Sequence, residues 1–151
     1  MSGDTAITVV VMIVVGLAAP FLNRFLQRTR VDVMCRQDTF DYTGSGGPFR
    51  AIRVTVTNRS PSNKIYLTAV GLQRLRLLPF PGFRTFTFAT SHNFKSVLGP
   101  GEQDEIYFRM DEARPFATEA GWHRGPRLVR AMVELTTKSP RRSPLIIARL
   151  N

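Results

Sequence analysis

Residues 6–22 read AITVVVMIVVGLAAPFL, a run of 17 residues without a charge in which Thr8 is the only polar side chain. A helix of that length spans roughly 26 Å, a little under the ~30 Å hydrocarbon core of a bilayer. Phe25 and Leu26 extend the apolar face, and the Arg24 side chain can reach back to the headgroups. The segment is expected to cross a membrane once, with Ala6, Val11, Gly16 and Leu22 inside the bilayer. Gly16, Ala18 and Ala19 are small enough to let a second helix approach closely.

A cleaved signal peptide would need a positive leader, whereas MSGDTA carries Asp4 and no Lys or Arg. Arg24, Arg28 and Arg30 follow the apolar run at once. By the positive-inside rule they hold everything from Asn23 onward in the cytoplasm. The lone Cys35 cannot form an internal disulfide, which agrees with a reducing compartment. The chain therefore divides into an anchor with its basic flank, residues 1–30, and one domain, residues 31–151. The remainder is long enough for one core and too short for two.

The chain carries a formal charge of +10, from 21 Lys and Arg against 11 Asp and Glu. Three of the basic residues and one acidic residue precede Val31, so the domain alone keeps +8. A surplus of that size favours an anionic partner: lipid headgroups, nucleic acid or an acidic protein face.

From Val31 the apolar period changes from helical to alternating. Val31, Val33 and Cys35 share one face of a half-buried strand. Residues 51–57 give the cleanest strand, with Ile52, Val54 and Val56 inward. NRSPSN at 58–63 is a turn, and a β-branched run resumes over 65–72. Further on, GPGE at 99–102 is a turn that leads into a strand with Ile106, Phe108 and Met110 inward. Residues 111–121 break the pattern and suit one short helix, in which Pro115 fits only the first turn. A strand over 128–136 points Val129, Ala131, Val133 and Leu135 inward. KSPRRSP at 138–144 is a basic turn, and a last strand covers 145–150.

About seven short strands at this spacing predict a mainly β fold, an antiparallel β-sandwich. The stretch VTVTNRSPSNKIYLTAVGL, followed later by LGPGEQDEIYFRM, resembles bacterial immunoglobulin-like modules. The resemblance implies an immunoglobulin-like sandwich over roughly residues 31–150. It departs from antibody-type domains in lacking a Cys pair and a core Trp at the expected spacing, since Trp122 falls in a glycine-bounded loop.

Catalytic and metal constellations are missing from the sequence. His92 and His123 have no Cys, Asp or Glu at ligand spacing. Cys35 lies on an apolar strand face, where a thiol is a packing group. Asp104/Glu105 and Asp111/Glu112 are adjacent in sequence, so on a strand the members of each pair point to opposite faces. GSGG at 44–47 lacks the Lys-Ser/Thr that makes a phosphate cradle. The expectation is a protein that is not an enzyme and needs no cofactor, metal or small-molecule substrate.

Residues 72–90, LQRLRLLPFPGFRTFTFAT, are the candidate interface. Pro79, Phe80, Pro81, Gly82 and Phe83 form a proline-stiffened tip, with Arg74, Arg76 and Arg84 around it. Phe86 and Phe88 alternate with threonines on a strand leaving the tip, which places both rings in the core. Phe80 and Phe83 fit a wedge into headgroups whose phosphates meet the arginines. They also fit a protein-binding patch, since such patches favour Phe and Arg. Aromatic stacking on bases is a weaker match, with no RNA-binding motif present and a membrane tether expected. These features describe an accessory subunit of a membrane complex, a scaffolding module that contacts another membrane protein or an acidic protein surface beside the lipid bilayer. The alternative is a basic domain that binds an anionic membrane surface or nucleic acid without a dedicated protein partner.

Overall fold

Ile52, Val54 and Val56 have no exposed surface, and the residues between them, Arg53 and Thr55, stay half exposed. That alternation makes β2 (Phe49–Asn58) the middle strand of a three-stranded antiparallel sheet. Its neighbours are β1 (Val31–Phe40) and β6 (Gln103–Arg109). The computed structural model describes residues 30–40, 48–77, 79, 81–89, 93–123, 125–136 and 138–150. The apolar run at 6–22, together with Arg24 and Arg28, lies outside them. Among the described residues no helix is long and apolar enough to cross a membrane.

A second antiparallel sheet has the order β4 (Gly82–Ala89), β3 (Ile65–Arg76), β7 (Pro126–Leu135), β8 (Lys138–Arg142). The short β5 (Val97–Leu98) adds to β3, and β9 (Ile146–Arg149) adds to β7. Val33, Ile52, Val54 and Ile106 of the first sheet join Val70, Leu72, Val129 and Val133 of the second in one hydrophobic core. Each such side chain withdrawn from water contributes roughly 1.5–3 kcal/mol. The one helix among the described residues, α1 (Met110–Glu119), packs on β2, β4 and β6 and buries Met110, Ala113 and Ala117.

The mainly β, antiparallel expectation therefore stands, with nine strands among the described residues instead of about seven. One added strand is β8, the stretch expected as a basic turn. Hydrogen bonding to β7 extends it despite Pro140, which falls at an irregularity of the outermost strand where no N–H is required. Pro115 also departs from expectation, sitting inside α1 beyond its first turn. Its ring costs the bond to the carbonyl of Asp111, a residue exposed to water that can replace the lost donor.

Phe86 and Phe88 do not share the core. β4 pairs Thr87 with Leu72 and Thr85 with Gln73, so Phe86 is the extra residue of a β-bulge. The bulge turns the Phe86 ring inward, whereas Phe88 is 55% exposed. Phe88 lies across Gly71, where a Cβ would come within 2.8 Å of its ring.

Trp122, expected only as a loop residue, has no exposed surface. Its ring meets Phe86 edge-on at 5.7 Å, and its indole N–H donates to the carbonyl of Gly125 at 2.8 Å. The chain turns inward there because α1 ends in a Schellman motif. Gly121, at φ +85°, donates to Thr118, and Trp122 donates to Ala117.

Candidate functional site

Alternate residues of a strand share a face, so Val70, Leu72, Arg74 and Arg76 point to the same side of β3. The first two are core. At Arg74 the covering layer has narrowed to the C-terminal end of α1, and the side chain must be polar to meet it. Its guanidinium donates to the carbonyls of Gly121, at 2.9 Å, and Ala120. α1 has no basic residue in its own last turn, so Arg74 supplies the positive charge that a helix C-terminus favours. Arg74 is only 7% exposed, and its Nε is a buried donor without an acceptor among the described residues.

Arg84 stands directly opposite Arg74 across the β3–β4 ladder. Val129 is the Arg74 partner on the other side, which puts Arg127, two residues earlier on β7, on the same face. Arg74, Arg76, Arg84 and Arg127 thus line one hollow of about 470 Å³, with Leu75, Leu77 and the end of α1 from Glu119 to Gly121. Burial lowers the Arg74 pKa most, and the positive charges of Arg127, Arg76 and Arg84 lower it further. Glu119 is the one carboxylate among the lining residues.

Three of the five candidate interface residues, Arg74, Arg76 and Arg84, therefore come together. Phe83 does not join them. It lies in β4, not at a tip, and strand alternation turns it to the opposite face. There the Arg130 guanidinium covers its ring at 3.2 Å. Arg130 in turn donates from Nε to Gln73, which donates to Thr85, so a polar network fixes that face. Phe80 lies outside the described residues. Arg30 is exposed at the entry to β1, and its backbone N–H donates to the Ser60 hydroxyl at 2.9 Å.

Arg127 and the end of α1 were missed. Arg127 follows Gly125-Pro126, a turn signal, but only the pairing of β3 with β7 brings it to the site.

A second hollow, about 400 Å³, lies among Phe40, Phe49, Tyr107, Arg109 and Glu112. Phe40 stacks on Phe49 and meets Tyr107 edge-on. Arg109 lies over Phe49 at 4.6 Å and is held by Asp111 at 2.7 Å, so the cation that these rings attract is already internal. Among the described residues no group of three His, Cys, Asp or Glu side chains is placed to hold a metal ion. His123 is exposed, and His92 lies outside the described residues. Cys35 is partly buried, and its thiol is pushed up to about 11, chiefly by burial, against hydrogen bonding to Ser143 and Ala131.

Comparison of the chain with protein-family models, with curated proteins and with solved structures gives no match, so its own geometry carries the functional argument.

Proposed function

We propose that this chain is a non-catalytic binding module, an immunoglobulin-like sandwich anchored at a membrane by residues 6–22. On this reading it serves as an accessory subunit that meets an anionic or acidic partner beside the bilayer. One observation carries the reading: four arginines from three strands line a single concave surface with one carboxylate among them. Like charges gathered in this way are unfavourable unless a partner of opposite sign meets them. Arg24, Arg28 and Arg30 would keep that surface on the cytoplasmic side.

The test is purification of the full chain in mild detergent with identification of what stays bound. Wild type and R114E/R149E, a charge reversal at exposed positions that do not line the hollow, should retain the same partner. R84E/R127E should lose it. Equal retention by both variants, or a chain that retains nothing, would refute the reading. The anchor is tested by Val11→Arg. A charge at the centre of a spanning helix costs about 2.5–3.5 kcal/mol, so much of the protein should become extractable by carbonate. Unchanged resistance to extraction would rule out the span.

A further inference from the structure

Three of the four arginines of the first sheet, Arg36, Arg53 and Arg109, meet carboxylates, as does Arg59 just beyond β2. Arg36 and Arg53 meet Asp38 at 3.0 and 2.9 Å, Arg59 meets Asp32 at 3.0 Å, and Arg109 meets Asp111 at 2.7 Å. The hollow at the end of the second sheet is different. Four arginines line it, and Glu119 is the one carboxylate among the lining residues. Arg84 and Arg127 form no ion pair among the described residues. In the same wall Arg74 is held by the carbonyls at the end of α1.

We infer that the hollow lined by Arg74, Arg76, Arg84 and Arg127 binds a phosphomonoester group. The inference rests on the reading of the chain as a binding module and names its ligand class. A single carboxylate would leave most of the charge uncompensated, whereas a phosphate dianion offers three terminal oxygens to several guanidinium forks at once. The hollow is larger than a bare phosphate, so the group arrives as part of a bigger molecule. Leu77 lines the wall beside the arginines and is exposed, which gives an apolar stem somewhere to lie. A phosphatidic-acid-type headgroup and a soluble phosphate ester share this chemistry, and the experiment separates them.

The full chain in mild-detergent micelles at constant ionic strength is melted with increasing inorganic phosphate, using the fluorescence of the buried Trp122. It is then melted in micelles doped with dioctanoyl phosphatidic acid or dioctanoyl phosphatidylcholine. A ligand that binds only the folded chain raises Tm saturably. Wild type and R114Q/R149Q should respond alike, whereas R84Q/R127Q should need about tenfold more phosphate for the same rise, having lost two charge-assisted contacts. Arg84 and Arg127 are exposed, so that variant should melt as wild type does in chloride. R84K/R127K, which keeps the charge and loses the fork, should fall between the two. A response to phosphatidic acid at far lower concentration than to inorganic phosphate, with none to phosphatidylcholine, assigns the site to a headgroup. Comparable responses to both phosphates assign it to a soluble ester, and either result supports the inference. No saturable response in wild type, or the same loss in both glutamine pairs, would overturn it. Partner retention that depends on Arg84 and Arg127 without a phosphate response would overturn this inference alone. A phosphate response without any retained partner would overturn only the function proposed above.

Discussion

The side-chain amide of Asn58 donates to the backbone carbonyl of Leu98 at 3.0 Å from a position with no exposed surface. The same amide reaches the carbonyls of Gly99 and Asn63, and its oxygen accepts from the N–H of Ser60. The Asn58 backbone bonds to Gly101 and Glu102 on both sides. Two turns far apart in the chain, NRSPSN and GPGE, are thus one knot with Asn58 at its centre.

Asn58→Ala should therefore be among the costliest polar substitutions in the molecule. It leaves buried carbonyls and one N–H without partners, a loss of about 2–4 kcal/mol. Calorimetry should show Tm falling by about 10 °C. A change of a degree or two would mean that water replaces the amide at no cost.

Gly71 and Phe88 make a second coupled pair. An added Cβ would meet the Phe88 ring at 2.8 Å and the carbonyl of Thr87 at 3.1 Å. Phe88→Ala, at an exposed ring, should cost under about 1 kcal/mol, and Gly71→Ala about 1–2 kcal/mol. The double variant should be more stable than the sum of the single losses predicts, because removing the ring relieves most of the clash. Strict additivity in urea titrations would place the strain at Thr87 and clear Phe88.

Such couplings mark where the sequence was legible and where it was not. Ile52, Val54 and Val56, and again Val129, Ala131 and Val133, announce their strands because each alternation buries one uninterrupted face. Phe86 and Phe88 show the same alternation, yet one extra residue in β4 separates their faces, and nothing local in TFTF encodes the bulge. β8 is a strand by partnership with β7, against its own composition. At the candidate site, Arg74, Arg76 and Arg84 were visible as a cluster within one hairpin. Arg127 and the end of α1 enter only through long-range pairing, and Phe83 left the cluster by strand parity.

The four arginines should not be equivalent. Arg74→Ala removes the donors to the α1 terminus at Ala120 and Gly121 and should cost about 1–3 kcal/mol. Arg84→Ala, at an exposed position, should stay within about 0.5 kcal/mol of wild type. Equal stability of the two variants in denaturant titrations would contradict the capping role of Arg74.

Cys35 gives a pH dependence with a definite sign. Its folded-state pKa of about 11 lies above the ordinary 9.0, so between those values the unfolded chain releases a proton that the folded chain keeps. The thiol's contribution is complete below pH 9 and declines as the pH rises toward 11. Wild type should lose stability relative to Cys35→Ala over that window, read as a narrowing gap between their melting temperatures. Maleimide labelling near neutral pH should be slow in the folded chain and fast in denaturant. A constant gap across the window would show that the thiol titrates alike in both states.

β8 closes one side of the second sheet, and every residue from Lys138 to Arg142 is exposed. A bare sheet edge is a template on which a second chain can add its own strand. Here that edge offers Lys138, Arg141 and Arg142 and lacks the N–H of Pro140, so two copies brought edge to edge would repel and lose a rung. Part of the positive charge thus guards a sheet edge and keeps neighbouring copies of the chain from fusing their sheets. Replacing Lys138, Arg141 and Arg142 with threonine should leave the fold intact and produce assemblies that grow with protein concentration in sedimentation velocity.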